Sequence, residues 1–402
     1  MKKATRKITT IDARSLLAKK PHHPKPAPGR SFGASRMPQD FQTVIDPDKN
    51  PPQPWRDLPP ATGQPPFHMS LDSILSPDAM LSITQSGTLV FHSVGDTGGV
   101  NTPTQIDNVA NYMESDFSGA DITQHPSFYY HLGDVVYYDG ELANYYAEFY
   151  EPYMTYPGPI VAIPGNHDGD IDPQTGETSL EGFVRNFCSQ APVHTTESHD
   201  APRSAMTQPN VYWTLLTPLV TIIGLYSNCP EGGQLSQAQI DWLESELSSA
   251  PTDRAVILAV HHPLYSAYGG KPGSQHIKGV IENAVKSAGR APELILTGHV
   301  HNYQRFTGTL NGQDVPMIVA GAGGYNLKLH TLSNAFHKAK LPIAMVGSDG
   351  VLESFCDDRH GYLRITVTRK AIECEYVAVP DSSAPVDGPL KHFDLVTIKT
   401  TY

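Results

Sequence analysis

The amino-acid sequence predicts an α/β fold. From about residue 87, short apolar runs of strand length alternate with segments of helical periodicity, the pattern of buried strands joined by crossover helices. After residue 315 the strand-like runs follow one another more closely, so the carboxy-terminal part is expected to be richer in β-structure, as in an α+β domain. A hydrophobic content of 39% over 402 residues is compatible with a packed core.

The apolar runs predict nine buried strands, because each has strand length and is bounded by turn-forming residues. In chain order they cover residues 88–94, 127–132, 159–164, 219–227, 255–260, 293–298, 315–321, 361–368 and 371–379. The tripeptide Thr-Arg-Lys at 368–370 indicates a hairpin between the last two. Two amphipathic helices are predicted. In residues 104–117 the apolar side chains share one face, and in residues 235–249 Ser236 and Gln239 have capping-box spacing.

Residues 1–86 are expected to be an amino-terminal extension, and residues 87–402 a separate folded domain. The extension is dense in proline and polar residues between about residues 21 and 66, with little periodicity. Such a composition favours an extended or disordered arm, and a plain linker is the simplest role for it.

The charge balance excludes some classes of function. Asp and Glu number 41 against 29 Lys and Arg, which argues against a general nucleic-acid or membrane-surface binder. Small anionic substrates remain possible, because a metal ion can reverse the local field. The first 20 residues are basic but contain no apolar signal-peptide region, so a cytoplasmic location is expected and export is not excluded. The four cysteines are widely spaced and are expected to be buried thiols, with any pairing left open.

Metal-ligand residues or polar groups follow five of the predicted strands. They are Asp96; Asp134 and Tyr137; Asn166 and His167; His261 and His262; and His299 and His301. Each motif alone is weak, since an Asp after Gly is more often a turn former. The ends of strands in an open α/β sheet meet at one crevice, however, and side chains two apart in an extended segment face the same way. The five motifs together therefore predict a metal site.

This series, Gly-Asp, Gly-Asp-x-x-Tyr, Gly-Asn-His, His-x-Pro and Gly-His-x-His, resembles the calcineurin-like metallophosphoesterase superfamily. Within it the sequence is most similar to the purple acid phosphatases, over residues 88–380. The resemblance implies a four-layer αββα sandwich of two mixed β-sheets flanked by helices, with residues 87–402 as the catalytic domain. It also implies a dinuclear metal centre that hydrolyses phosphate monoesters of small molecules by attack of a metal-bound hydroxide.

The resemblance assigns a ligand to each position of the motifs. The implied ligands are Asp96 and His301 for the first ion, Asn166, His261 and His299 for the second, and Asp134 as the bridge. Many members of the superfamily have an Asp-x-His pair, but here Gly98 stands two residues after Asp96. Tyr137 lies where purple acid phosphatases supply a phenolate to Fe(III), which implies Fe(III) with Fe, Zn or Mn(II). In the alternative, Tyr137 packs beneath two divalent ions and water fills the gap.

The resemblance also suggests three catalytic residues. His167 is the candidate general acid, or else a hydrogen-bonding residue that holds its turn. His276 lies in a glycine-rich loop where family members often place substrate-facing histidines, but its spacing does not match closely, and the alternative is a solvent-exposed histidine. Arg305 would meet phosphate or brace the motif. Asp168 is expected to orient the Gly-Asn-His loop. The alternatives to a monoesterase are a phosphodiesterase or nucleotidase with two divalent ions and, from a different class, a catalytically silent metal-binding module.

Overall fold

The computed structural model of the chain describes residues 9–11, 54–100, 103–380 and 392–400. Within these residues, sixteen strands form two mixed β-sheets, one of ten strands and one of six, and helices flank both sheets. This arrangement confirms the predicted fold class. Most of the predicted extension, residues 1–8 and 12–53, lies outside the described residues.

All nine predicted strands are present among the described residues, together with seven others. The strands are β1 (Thr9–Ile11), β2 (His68–Ser70), β3 (Thr88–Val94), β4 (Tyr129–His131), β5 (Ile160–Ala162), β6 (Trp213–Leu216), β7 (Val220–Leu225), β8 (Ala255–Val260), β9 (Leu294–Thr297), β10 (Tyr303–Leu310), β11 (Gln313–Ala320), β12 (Ile343–Met345), β13 (Val351–Cys356), β14 (Gly361–Thr368), β15 (Ala371–Ala378) and β16 (His392–Lys399). The helices are α1 (Pro77–Ser86), α2 (Thr104–Ser115), α3 (Asn166–Gly169), α4 (Glu181–Phe187), α5 (Gln237–Ser249), α6 (Gln275–Ala288) and α7 (Asn334–Lys338). Short 3-10 turns cover Leu71–Ser73, Ile122–Gln124, Leu142–Asn144 and Thr196–Ser198, and Tyr146–Tyr150 is a π-helix.

The sheet topology brings parallel strands together where the predicted motifs lie. The order in the larger sheet is β1-β12-β13-β10-β11-β9-β8-β7-β6-β2, and in the smaller sheet it is β16-β15-β14-β3-β4-β5. Strands β3, β4 and β5 are parallel neighbours in one sheet, and β7, β8 and β9 are parallel neighbours in the other. Strands β14 and β15 form the predicted antiparallel hairpin. The carboxyl ends of each parallel group therefore lie on one edge of its sheet.

Apolar side chains fill the space between the sheets and the space under the helices. In β8, Ile257 faces the core between the two sheets, whereas its neighbours Val256 and Leu258 face the layer that α5 and α6 cover. Successive side chains of a strand point to opposite faces, so a strand buried on both faces has a continuous apolar sequence. The four cysteines are buried free thiols, as expected.

The helices follow the predicted faces. In α2, Ile106, Val109 and Met113 are buried. The α5 helix begins as predicted, because the Ser236 side chain accepts a hydrogen bond from the Gln239 N–H at 3.2 Å. Helix α6 was not predicted from the sequence. Among the described residues no helix combines the length and the apolar content that crossing a membrane requires.

Residues 54–86, which the sequence groups with the extension, pack against the core. Strand β2 pairs in parallel with β6, and Leu71 is fully buried between the sheets. The indole of Trp242 on α5 donates a hydrogen bond to the carbonyl of Pro66 at 2.7 Å. The few apolar side chains of this segment are enough to add one edge strand and one helix to the domain. Its proline content conceals these elements in the sequence.

Replacing Leu71 with Ala is expected to lower the free energy of unfolding by about 2–5 kcal/mol, because it leaves a cavity between the two sheets. The matched control is Leu81→Ala on α1, since Leu81 is 53% exposed and should change stability by less than about 0.5 kcal/mol. Urea denaturation of both variants measures the difference. Equal stabilities would show that residues 68–73 do not stabilise the folded domain.

Candidate metal centre

Residues that could bind metal lie at the carboxyl ends of five strands from both sheets. Asp96, Asp134 and Asn166 follow β3, β4 and β5 of the smaller sheet, whereas the histidines follow β8 and β9 of the larger one. Side chains from the two sheets meet: His261 Nε2 lies 3.1 Å from Asp134 Oδ2, and His301 Nε2 lies 3.4 Å from Asp96 Oδ1. The five motifs of the sequence thus converge on one place.

The backbone at this edge is strained. Asp96, Asp134 and His299 have φ angles of 58°, 53° and 67°, in the left-handed region that residues other than glycine rarely adopt. Such conformations persist where the surrounding structure enforces them, and they cluster at functional sites. Gly165 permits the close approach of two strand ends, because a Cβ there would lie 2.1 Å from Asp134 Oδ1. The glycine of the Gly-Asn-His motif is therefore required sterically.

One half of the centre contains Asp134, His261, His299 and Asn166. The potential ligand atoms of the first three residues all lie within 4.8 Å of one another, and all three residues are buried. His299 Nδ1 lies 3.0 Å from Asn166 Oδ1, so both atoms can face one ion. The backbone N–H of His167 donates a hydrogen bond to Asp134 Oδ1 at 2.9 Å, which orients that carboxylate.

The other half contains Asp96, His301 and Tyr137. The backbone N–H of His299 donates to Asp96 Oδ2 at 2.8 Å, so one oxygen of this carboxylate is held by the opposite sheet. The hydroxyl of Tyr137 donates to Asp134 Oδ2 at 3.3 Å. Asp134 thus contacts groups from both halves, as a bridging carboxylate would.

Tyr137 occupies the space of the side chain that Gly98 lacks. A Cβ at Gly98 would lie 2.3 Å from Tyr137 Cδ2, so a larger residue at position 98 and this ring position exclude each other. The ring is fully buried against Tyr325, with centroids 4.1 Å apart. Burial, then the carboxylates of Asp134 and Asp96, raise the pKa of the Tyr137 phenol well above its usual range. An ionised Tyr137 would need a cation beside it.

The donor set fits metal ions. Asp96 Oδ1 and His261 Nε2 are buried and make no hydrogen bond within the part of the chain that the structure describes. His261 Nδ1 lies 2.7 Å from the carbonyl of Leu132, which directs Nε2 toward the carboxylates. Burial raises the pKa of Asp96 to about 8, although the charge of His261 opposes this shift. A bound cation would remove the cost of burying these groups, and oxygen and imidazole ligands suit Fe, Zn and Mn.

Asp168 links the two loops that contain Asp134 and Asn166. Its carboxylate accepts hydrogen bonds from the N–H groups of Gly165, Val135 and Val136 at 2.8–3.2 Å, and so joins the loops after β4 and β5. Burial, followed by the charge of Asp134, raises the pKa of Asp168 to about 7. The sequence indicated this orienting role.

Replacing Asp168 with Ala should leave three buried N–H groups without an acceptor. The free energy of unfolding is expected to fall by about 2–5 kcal/mol, and metal affinity by about 10- to 100-fold because the ligand loops lose their support. Asp172→Ala is the control, since the Asp172 carboxylate accepts a hydrogen bond from the N–H of Gln174 in an exposed contact. Chelator competition and urea denaturation measure both effects. Equal affinity in the two variants would contradict the supporting role.

Two more histidines lie beside the ligands. His167 packs against Tyr137 with ring centroids 4.5 Å apart, and its Nδ1 lies 2.8 Å from the carbonyl of Tyr138, which leaves Nε2 directed away from this bond. Burial lowers the pKa of His167. His262 Nδ1 lies 2.7 Å from the hydroxyl of Ser227, and its ring packs on His299 with centroids 4.3 Å apart. The structural role that the sequence indicated for His262 remains a prediction.

Two predicted catalytic residues are not brought into the centre. His276 is exposed in the first turn of α6. Arg305, on β10, makes two hydrogen bonds of 2.7 and 3.1 Å to the carboxylate of Asp394 on β16 and so joins the two sheets. The predicted contact of these residues with phosphate has no support in this geometry, because one faces solvent and the other is held by a carboxylate.

Three residues near the centre were missed in the sequence. Lys271 is buried in the glycine-rich loop that precedes His276, and its ammonium donates to the His299 carbonyl at 3.2 Å. Glu231 Oε1 lies 3.4 Å from His299 Nε2, and the ring of His330 stacks on His301 at 4.3 Å. The glycines around Lys271 were the one available signal, and they marked the loop without showing which side chain turns inward.

Solved structures share this fold at low sequence identity. GAP50, described as the anchor in the inner membrane complex of Plasmodium, matches with 15% identity over 78% of this chain and 90% of that chain, at a TM-score of 0.53. Purple acid phosphatase PPD1 from yellow lupin (Lupinus luteus) seeds matches with 16% identity over 78% and 54%, at 0.50. PhoD matches with 14% identity over 78% and 72%, also at 0.50. No curated protein sequence matches significantly.

Sequence comparison identifies the family directly. The family model described as calcineurin-like phosphoesterase matches residues 91–303, which is more than half of the chain and spans every motif from Asp96 to His301. The family is one of metal-dependent phosphoesterases, and the buried Asp134, His261 and His299 group is compatible with its metal centre. The protein therefore belongs to the calcineurin-like phosphoesterase family.

Proposed function

We propose that the protein hydrolyses phosphate monoesters of small molecules at a two-metal centre of the purple acid phosphatase type. The observation that carries the proposal is the shared volume of Gly98 and Tyr137. The chain has no histidine two residues after Asp96, and a buried phenol fills the same space beside the bridging carboxylate. The presence of Tyr137 in place of a histidine at position 98 supports the purple acid phosphatase type, and membership of a family of hydrolases supports the reaction.

Each ion would be held by residues of both sheets. Asp96, Tyr137 and His301 would hold the first ion, Asn166, His261 and His299 the second, and Asp134 both. Two such ions supply Lewis acidity toward a phosphoryl oxygen and a strong nucleophile from water at neutral or acidic pH. Fe(III) with Fe, Zn or Mn(II) is the proposed pair, because a hard anionic phenolate favours Fe(III).

The protein's own groups bind the ester and supply a proton to its leaving oxygen. Asn166 is a neutral ligand, so it adds no negative charge where phosphate must approach. His167 is the proposed proton donor: its Nδ1–H would donate to the carbonyl of Tyr138, so the proton for the leaving oxygen would come from Nε2–H of the imidazolium form, which then becomes neutral imidazole. Because burial lowers the pKa of His167, this form would be populated at acidic pH.

The test of the function is hydrolysis of p-nitrophenyl phosphate and bis-p-nitrophenyl phosphate by protein reconstituted with iron, zinc or manganese. A monoesterase should prefer the first compound and lose activity after chelation. The variant Asp96→Asn should fold fully but should be inactive. Preference for the diester in every metal form would overturn the proposal.

Two alternatives remain distinct. A phosphodiesterase or nucleotidase of the family would use two divalent ions, and a colourless protein that prefers diesters or nucleotides would favour it. A catalytically silent module is the second alternative, and a solved structure with this fold is described as an anchor. The complete set of donors from Asp96 to His301 weighs against the silent module, and lack of hydrolysis with both metals bound would favour it.

Replacing His167 with Ala is expected to lower kcat about 10²-fold or more for alkyl phosphates, whose leaving oxygen needs a proton. For p-nitrophenyl phosphate the loss should be much smaller, because its leaving group is stable as an anion. His276→Ala is the comparison, since His276 is exposed on α6, and both rates should be retained. Equal losses of the His167 variant on both esters would contradict a role as proton donor.

A further inference from the structure

A buried lysine lies beside the centre with no role assigned by the proposed function. Lys271 belongs to the loop of residues 265–274 between β8 and α6, and it is only 5% exposed. Its ammonium donates to the carbonyl oxygen of His299 at 3.2 Å. A lysine is rarely buried to this degree, because its charge loses water unless an anion or polar groups replace it.

The loop is built to hold Lys271 in this place. Gly273 packs so tightly that a Cβ there would lie 2.5 Å from the carbonyl oxygen of Leu264, and the N–H of Ser274 donates to Pro263 at 2.8 Å. Three residues before Lys271 in the same loop, Tyr268 stacks on His330, with ring centroids 4.4 Å apart. His330 in turn stacks on the ligand His301. The loop therefore contacts His299 directly and His301 through the ring of His330.

The charge of Lys271 reaches groups on both sheets. Burial is the largest cause of the raised pKa of Asp96 and of the lowered pKa of His167, and the charge of Lys271 opposes the first shift and adds to the second. Asp96 follows β3 and His167 follows β5 in one sheet, whereas His299 follows β9 in the other. The ammonium thus contacts the backbone of a proposed ligand from one sheet, and its charge acts on two residues of the other.

We propose that Lys271 binds the phosphate group of a dianionic monoester or of inorganic phosphate. This inference rests on the proposed function. When cations neutralise Asp96 and Asp134, the remaining field of the buried ammonium attracts an incoming anion. A monoester brings two negative charges and a diester brings one, so Lys271 stabilises the monoester more strongly. It would therefore be a residue that determines the preference for monoesters.

The competing role for Lys271 is to brace the strained backbone of His299 through the carbonyl contact. A brace would affect metal affinity and stability, because His299 is a ligand, whereas a phosphate-binding residue would affect anion affinity in protein that retains its metals. The two roles are therefore separated by measuring metal content and phosphate binding on the same samples.

The experiment is calorimetric titration of inorganic phosphate into metal-loaded wild type, Lys271→Met, Lys271→Arg and Lys286→Met. Lys286 is an exposed lysine of α6 and is the matched control. The affinity of Lys271→Met for phosphate should fall about 10- to 100-fold, the usual loss for a charged hydrogen bond. Lys271→Arg should retain most of the affinity, and Lys286→Met should equal wild type. The ratio of kcat/KM for monoester over diester should fall only in Lys271→Met.

Two outcomes would overturn the inference. Unchanged phosphate affinity in Lys271→Met with full metal content would exclude the anion contact. Loss of metal and of melting temperature in Lys271→Met, with Lys271→Arg no better, would make the lysine a brace. The proposed function can fail separately. In that case the wild type would hydrolyse neither ester but would still bind phosphate, and the binding would depend on Lys271.

Discussion

The variant Asp134→Asn is expected to lose hydrolysis by about 10³-fold or more in kcat, together with most of its bound metal. Asp134 contacts His261 across the two sheets and accepts a hydrogen bond from the hydroxyl of Tyr137, so its carboxylate contacts side chains of both halves of the centre. Burial by itself would raise the pKa of Asp134, but the charge of His261 holds that pKa well below its usual range. Asparagine keeps the shape and removes the charge that two cations would share.

Metal content and the rate with p-nitrophenyl phosphate measure this effect. Asp139→Asn is the control, because Asp139 lies five residues further along the same loop and is half-buried. The control should retain both ions and most of the activity. If Asp134→Asn bound two ions and kept its rate, the bridging assignment would be wrong.

A broad visible absorption band is expected for the iron-loaded wild type, and Tyr137→Phe should abolish it. Such a band is ligand-to-metal charge transfer from a phenolate to Fe(III), as the resemblance to purple acid phosphatases implies. The phenylalanine ring still fills the volume beside Gly98, so the free energy of unfolding should change by less than about 2 kcal/mol. Iron content should fall while zinc binding to the second half persists.

A second test of the Tyr137 assignment moves the ligand from position 137 to position 98. Gly98→His alone should fold poorly, because its Cβ would overlap the Tyr137 ring and the backbone φ of 29° is unfavourable for it. The double variant Gly98→His/Tyr137→Ala should fold better and give a colourless protein that works with two divalent ions. A colourless, fully active wild type would instead mean that Tyr137 packs beneath a divalent pair.

The buried strands were predictable from local sequence, and several other elements were not. Strand β8 is apolar throughout because both of its faces are buried, and that pattern is visible in six residues. Strand β10 alternates buried and half-buried residues with polar side chains, and β16 pairs at an edge, so neither produces a long apolar run. Strand β2 depends on pairing with β6, more than a hundred residues away in the chain.

The convergence of the candidate ligands was also predictable, since all of them follow strands whose carboxyl ends meet. The loops were harder. For the glycine-rich segment after β8 the sequence left open whether His276 faces substrate or solvent, and the structure leaves His276 exposed on α6 and turns Lys271 inward. Arg305 was expected to meet phosphate or to brace its motif, and the structure pairs it with Asp394, 89 residues later. Each of these outcomes depends on a contact distant in the sequence.

By itself the sequence determined nine of the strands, the donor types and their positions at strand ends, because strand alternation and turn chemistry act over a few residues. Tertiary structure alone decided which groups share space. It placed the Tyr137 ring in the volume left by Gly98, joined Asp134 to His261 across two sheets, and buried Lys271 against His299. The physical reason is that close packing selects among side chains that local sequence leaves equivalent, and packing partners come from distant parts of the chain.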